Sequence, residues 1–106
     1  MADMPSLSSY DRGTKGFEGR RYKKDVAAVI DAQTKLLSPI RKIKNYNPKL
    51  YMTLGNHEER IIRAVNSTPE LEGAIGIEDL KYKEFGWKVT RFKKCVTIKG
   101  ITFSHY

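Results

Sequence analysis

Long apolar runs and cysteines are both scarce in this 106-residue sequence. No apolar stretch approaches the roughly 20 residues that cross a bilayer, so we expect no membrane partner. Residues 1–5 contain neither the basic segment nor the apolar segment that would begin a signal peptide. The single cysteine, Cys95, cannot form an internal disulfide, which agrees with a reducing compartment. These absences predict a protein of the cytoplasm.

Positive charge is in excess, because 20 lysines and arginines stand against 12 acidic residues and give a formal net charge of +8. Such an excess favours polyanionic partners, including nucleic acids and phosphorylated ligands. Hydrophobic residues make up 40% of the chain and charged residues 30%, which is typical of a soluble globular protein. We therefore expect one small domain with a modest core.

Hydrophobic periodicity divides the chain into helical and extended parts. Apolar residues recur at spacings of three and four across 26–43, as in an amphipathic helix that Pro39 should kink or divide. Apolar and polar residues alternate after Trp87, and Lys99-Gly100 is placed like the turn of a hairpin. The sequence thus predicts an α/β chain with five segments: a loop over 1–20, a helix over 21–46, a strand over 49–54, helices over 57–85 and strands over 87–105.

The two ends of the sequence are unusual for a complete domain. The sequence stops at Ser104-His105-Tyr106, directly after an apolar strand, and it begins inside a loop with no element before it. We therefore expect the central portion of a longer single domain, truncated at both ends.

The sequence Leu-Gly-Asn-His-Glu at 54–58 follows a short predicted strand and combines several groups capable of chemistry. Loops at the carboxyl ends of strands hold ligands in open α/β sheets, and a glycine lets the backbone turn sharply there. Asn56 offers a neutral oxygen to a hard divalent ion, His57 has a side chain suited to donating a proton, and Glu58 can orient an imidazole. The alternative is structural, with Asn56 as a helix N-cap and the next residues in an ordinary first turn. His105, the second of two histidines, also follows an apolar strand.

This motif resembles the Gly-Asn-His-Asp/Glu motif of the calcineurin-like metallophosphoesterases. The later Ile-Thr-Phe-Ser-His at 101–105 resembles the next strand of that family, which ends in a metal-binding histidine. The resemblance implies a sandwich fold and the hydrolysis of phosphomonoesters or phosphodiesters at a site with two divalent metal ions, which can be Mn, Fe, Zn or Ni. The overall character is most similar to that of small phage-encoded members.

The resemblance also assigns a role to each matching residue. Asn56 and His105 would bind the same metal ion, and Asn56 would also contact the substrate phosphate. His57 would protonate the leaving oxygen or contact the phosphate, with Glu58 orienting its ring. Asp3 corresponds to the last aspartate of the family's Gly-Asp-x-x-Asp motif. The substrate would be a phosphate ester, including a nucleic acid or a nucleotide.

The sequence also departs from the family pattern. It contains no Asp-x-His, no Gly-Asp pair and no Gly-His-x-His, so the bridging carboxylate and most ligands of the first metal are missing. Because a two-metal site works by clamping both the attacking and the departing oxygens, we expect these 106 residues alone to be inactive and to bind at most one ion weakly. The missing parts of the same domain would be a partner, in the host cytoplasm if a phage encodes the chain.

A small basic nucleic-acid-binding module without catalysis is the alternative function, with Asn56 acting only as a cap. Its surface would combine Arg20-Arg21-Tyr22-Lys23-Lys24 with the basic stretch 88–94, and Trp87 and Phe92 would lie among the charges. The other interpretation of these segments is a solvated helix start and a strand edge.

Overall fold

The structure is a computed structural model that describes residues 1–7 and 21–105. Within those residues the chain forms α1 (Tyr22–Arg41), β1 (Leu50–Thr53), α2 (Glu59–Ser67), β2 (Trp87–Thr90), β3 (Cys95–Ile98) and β4 (Ile101–Ser104). Short 3-10 helices cover Pro5–Leu7, Pro69–Leu71 and Ile77–Leu80. This part of the chain is a small mixed α/β domain, which confirms the predicted class. Of the predicted loop over 1–20, positions 8–20 lie outside the described residues.

The long helix α1 is shorter than the helix predicted over 21–46. Pro39 lies inside α1 and does not divide it, but the helix ends two residues later. Proline removes one backbone donor and crowds the preceding turn, which weakens the helix at this point. None of the described helices is long and apolar enough to span a membrane. The side chains of α1 that are fully buried are Val29, Gln33 and Leu37.

Two separate pairs of strands form the sheets. β1 and β2 pair in parallel, with Leu50 opposite Trp87, and the chain between them crosses over through α2. β3 and β4 form an antiparallel hairpin in which Lys99 and Gly100, both with positive φ, make the predicted turn. A two-residue turn with two positive φ angles matches the twist of a hairpin, so this local sequence sets the register.

The stretch 57–85, predicted as helices, contains the single α-helix α2 followed by 3-10 helices. Gly73 and Lys81 have positive φ angles of 83° and 57°, and each interrupts helical backbone. The spacing of apolar residues carries no signal for such local reversals, which is why the prediction gave too much helix.

The hydrophobic core joins α1, α2, the end of β1 and the N-terminal segment. Ala2 and Met4 belong to it, although the sequence predicts a loop there. The 3-10 helix that follows is held to α1 by the Ser6 N–H, which donates to the Asp25 carboxylate at 2.9 Å. The buried members of the core are Ala2, Met4, Val29, Leu54, Ile61, Leu80 and Tyr82.

Candidate functional site

The Gly-Asn-His-Glu sequence lies in the turn that joins β1 to α2, at the carboxyl end of the parallel strand pair. The Leu54 N–H donates to the carbonyl oxygen of Thr90 at 2.9 Å and extends the pairing by one residue before the turn. The carbonyl oxygen of Gly55 then accepts a hydrogen bond from the Glu59 N–H at 3.1 Å, at the start of α2. A strand end on one side and a helix start on the other therefore hold the motif.

Asn56 and His105 meet at this turn. The Asn56 Oδ1 and the His105 Nε2 are 3.2 Å apart, although the two residues are separated by 49 positions in the chain. The β3–β4 hairpin delivers His105, and the Lys93 N–H donates to its carbonyl oxygen at 3.2 Å. The Phe92 ring lies tilted beside the imidazole, with 6.0 Å between the ring centroids. The N-cap position of α2 is Glu58, so Asn56 is not the helix cap of the structural alternative.

Gly55 permits the close approach of the His105 ring. A Cβ atom at position 55 would lie 3.0 Å from the His105 Cε1 and 3.1 Å from a carboxylate oxygen of Glu58. Contacts that short are tighter than ordinary van der Waals packing, so with a larger residue the imidazole and the carboxylate would have to move by a few tenths of an ångström. The sequence predicts a glycine that lets a ligand approach the backbone, and in the structure the approaching group is a side chain of the site.

Asp3 lies beside His57. The Asp3 Oδ1 is 3.1 Å from the His57 Nδ1. An ionised carboxylate only accepts hydrogen bonds, so Nδ1 is the donor and Nε2 is the nitrogen that faces away from this contact. The Arg60 guanidinium donates to the carbonyl oxygen of Asp3 at 2.8 Å and fixes the segment in place. Asp3 thus contacts His57 from a position 54 residues earlier in the chain.

Glu58 has different partners from those expected for it. Its side chain is buried, with 3% of the residue exposed. The carboxylate accepts hydrogen bonds from the Ala2 N–H at 3.1 Å, the Gly55 N–H at 2.9 Å and the Tyr82 hydroxyl at 2.9 Å. We predicted that Glu58 would orient His57, but in the structure Asp3 makes that contact. Glu58 instead ties the N-terminal segment, the turn and Tyr82 together.

The hydrogen bonds to Glu58 determine its charge state. Burial by itself raises the pKa of this carboxyl, but the hydrogen bonds that it accepts outweigh burial and set the pKa below its usual value. Burial and then the negative charge of Glu58 raise the pKa of Tyr82 well above its usual value. Glu58 is therefore ionised and Tyr82 is protonated at neutral pH. Sequence reasoning missed Ala2 and Tyr82 because neither lies in a motif.

The oxygen and nitrogen atoms that meet at this turn are the Asn56 Oδ1 and the His105 Nε2. Ligand atoms about 2.1 Å from one ion lie about 3.0–3.4 Å from each other, which is the separation of the Asn56 oxygen and the His105 nitrogen. A bound ion would replace the proton that the two atoms share. Across residues 1–7 and 21–105, no group of three or more His, Cys, Asp and Glu side chains could hold a metal ion. The Asp3 carboxylate is in contact with His57.

The residues predicted to form a nucleic-acid-binding surface lie in different parts of the structure. Arg20 lies outside the described residues. Trp87 packs against the core with its indole nitrogen buried, while Phe92 stands beside the His105 ring. The Lys88 ammonium lies 6.0 Å from the centre of the Tyr51 ring. The segment that begins at Trp87 therefore contributes to the core, to the site and to a further face.

Comparisons with protein-family models, with curated proteins and with solved structures give no match to this chain. The site is therefore defined by its own geometry. Two side-chain pairs form at the turn that follows β1: Asn56 with His105, and His57 with Asp3. Carboxylates and imidazoles are groups that can bind metals or move protons, and an asparagine offers a neutral oxygen.

Proposed function

We propose that this chain carries part of the active site of a metal-dependent phosphoesterase of the calcineurin-like class, and that its strands belong to the sandwich fold of that class. The observation that carries the proposal is the 3.2 Å contact between the Asn56 oxygen and the His105 nitrogen. The motif resemblance gives these two residues to one metal ion, and nothing in their local sequence requires them to meet. Their contact is what a shared ion would need.

Each side chain of the site has a distinct task in this proposal. Asn56 and His105 would hold one divalent ion, which when bound polarises a phosphoryl oxygen and acidifies its water ligand. His57 is the acid that protonates the leaving oxygen through Nε2, because Asp3 occupies its Nδ1. Asp3 therefore orients the imidazole. Glu58 is a positioning residue, since it holds the Gly55 turn from the buried side.

The 106 residues supply one half of a two-metal site. Asp-x-His, Gly-Asp and Gly-His-x-His are absent from the sequence, and these would provide the bridging carboxylate and most ligands of the first metal. Hydrolysis therefore requires ligands beyond this chain, from the rest of the same domain. The substrate class is a phosphomonoester or phosphodiester, nucleotides and nucleic acids included, and the net charge of +8 favours such anions.

Titration of the chain with manganese, with the heat of binding measured by calorimetry, tests the proposal. We expect one weakly bound ion per chain, because only two protein ligands converge. Asn56→Ala and His105→Ala should each weaken binding by at least about tenfold, which is about 1.4 kcal/mol. The matched control is Asn66→Ala, since Asn66 is an exposed asparagine of α2 outside the site.

Three results would contradict the proposal. If Asn56→Ala leaves the manganese affinity unchanged, Asn56 and His105 do not share a metal ion. Two tightly bound ions on the wild-type chain would show that the 106 residues hold a complete site of another kind. Equal weakening in Asn66→Ala would mean that the ion binds the helix surface instead.

A further inference from the structure

The other end of the β1–β2 pair borders a cavity of about 390 Å³. Its walls come from the end of α1, the connection to β1, the first residues of β1 and the segment 85–88. Each strand has four residues and rises about 3.3 Å per residue, so the strands separate the cavity from the Asn56 turn by about 10 Å. The volume falls within the range of small-molecule sites, about 300–1,000 Å³. The cavity is thus a separate place from the candidate metal site.

Cations line this cavity. Among the residues that the structure describes, Arg41, Lys49 and Lys88 contribute to its walls and no carboxylate does. In the part of the chain that the structure describes, none of the three pairs with an acidic side chain. The Arg41 guanidinium donates to the carbonyl oxygen of Phe85 and lies 5.8 Å from the centre of its ring, so it is held in position. A cluster of cations without acidic partners favours an anionic ligand.

Aromatic rings stand among these cations. The Tyr46 side chain lines the cavity and is 53% exposed. Tyr51 lies beneath the Lys88 ammonium, and Phe85 lies beneath Arg41. An exposed ring beside unpaired cations is the combination that stacks a base and neutralises its phosphate. An inorganic anion would use the cations alone and leave the rings without a role.

We propose that this cavity binds a nucleotide unit, with the base stacked on Tyr46 and the phosphate between Arg41 and Lys49. The same unit occurs in a free nucleotide and in single-stranded nucleic acid, and the cavity recognises the chemistry that both share. This inference does not rest on the phosphoesterase proposal. Asn66→Ala, at an exposed asparagine of α2 that does not line the cavity, leaves nucleotide binding unchanged.

Titration of the full 106-residue chain with three probes tests the inference: thymidine monophosphate, an eight-nucleotide thymidine strand and inorganic phosphate. Backbone NMR shifts locate each probe, and the anisotropy of a labelled strand gives its affinity. Tyr46→Ala should weaken strand binding by about 5- to 100-fold, the range expected for one stacked base. Lys49→Glu should weaken it too and reduce its salt dependence. Both residues are exposed, so these variants keep the fold.

Each cavity variant has a matched control. Phe103→Ala removes a ring that is 47% exposed on the β3–β4 hairpin, and Lys24→Glu makes the same charge change at the exposed start of α1. We expect both controls to bind within about twofold of wild type, because their side chains lie outside the cavity.

The outcomes separate the two sources of the nucleotide unit. Shifts at Arg41, Tyr46 and Lys88 with the monophosphate support a free nucleotide, and the same shifts with the strand alone support single-stranded nucleic acid. Inorganic phosphate that binds as tightly as the monophosphate would overturn the inference. Equal weakening in Lys24→Glu and Lys49→Glu would also overturn it, because binding would then follow net charge and not the cavity.

Discussion

The two strand pairs of this molecule are supported in different ways. β1 and β2 are mostly half-buried, and β1 continues directly into Leu54, a core residue that is 4% exposed. β4 is exposed along its whole length, with Ile101 at 61% and Phe103 at 47%. The core holds the first pair, whereas the hairpin is held by its own ladder and by the contact at His105. The candidate site forms where the supported pair and the exposed pair meet.

The Gly-Asn-His-Glu motif also has a buried side and an exposed side. Glu58 faces inward, where its carboxylate is surrounded by protein donors. Asn56 and His57 face outward to His105 and Asp3. Adjacent residues of one short sequence thus contact the buried interior and the surface separately. Substitutions on the buried side should change the free energy of unfolding, while those on the exposed side should change ligand binding.

The largest effect is expected for Glu58→Ala. The change leaves the Ala2 N–H, the Gly55 N–H and the Tyr82 hydroxyl without their acceptor inside the protein. Losing one partner of a buried charged network costs about 3–5 kcal/mol in the free energy of unfolding. Urea unfolding followed by circular dichroism measures it.

Glu59→Ala is the control for this prediction, because it removes the adjacent carboxylate in the first turn of α2. We expect it to cost less than about 1 kcal/mol. Similar losses in Glu58→Ala and Glu59→Ala would show that the buried carboxylate network does not hold the turn.

The next largest effect compares one isoleucine from each region. Ile61→Ala in α2 creates a cavity in the core, where the side chain is fully buried, and should cost about 2–4 kcal/mol. Ile101→Ala in β4 removes an exposed side chain and should change the free energy of unfolding by less than about 0.5 kcal/mol. Urea denaturation of both variants tests the contrast. Equal costs would mean that the hairpin is part of the core in solution.

A smaller effect should be found in the pH dependence of stability. The pKa of Glu58 in the folded chain lies below its ordinary value of 4.5, since its hydrogen bonds outweigh burial. The unfolded chain therefore binds this proton more tightly, and the stabilisation is complete above about pH 4.5 and is lost as the pH falls through the folded pKa. The urea concentration at the midpoint of unfolding, measured from neutral pH to about pH 3, should fall less steeply in Glu58→Gln than in wild type. Parallel curves would contradict this role of Glu58.

Local signals in the sequence predicted the elements that local chemistry determines. Lys99-Gly100 specified the hairpin, and the apolar strand before Gly55 placed the motif at a strand end. The partners of Glu58 were not predictable, since Ala2 and Tyr82 lie 56 and 24 positions away along the chain. Ala2 and Met4 lie in a predicted loop, where two apolar residues show no helical or strand periodicity. Their burial in the core was therefore not predictable from the sequence pattern.

The structure brings some of the predicted site residues into contact and gives others different partners. The resemblance gave Asn56 and His105 to one ion, and the structure brings them together. The resemblance assigned the orientation of the His57 ring to Glu58, but in the structure Asp3 contacts that ring. The cavity near Tyr46 had no local signal, because its walls come from segments far apart in the sequence.

The most direct test of the central claim is an NMR titration of the chain with zinc, observing histidine ring nitrogens and asparagine side-chain amides. Zinc prefers a histidine nitrogen and can take an oxygen as a second ligand. We expect the His105 Nε2 and the Asn56 amide to shift together in one binding step, while signals from Tyr46 and its cavity stay in place. Zinc shifts at His57 or elsewhere, with Asn56 and His105 unmoved, would contradict the claim that the strand end and the hairpin jointly bind a metal ion.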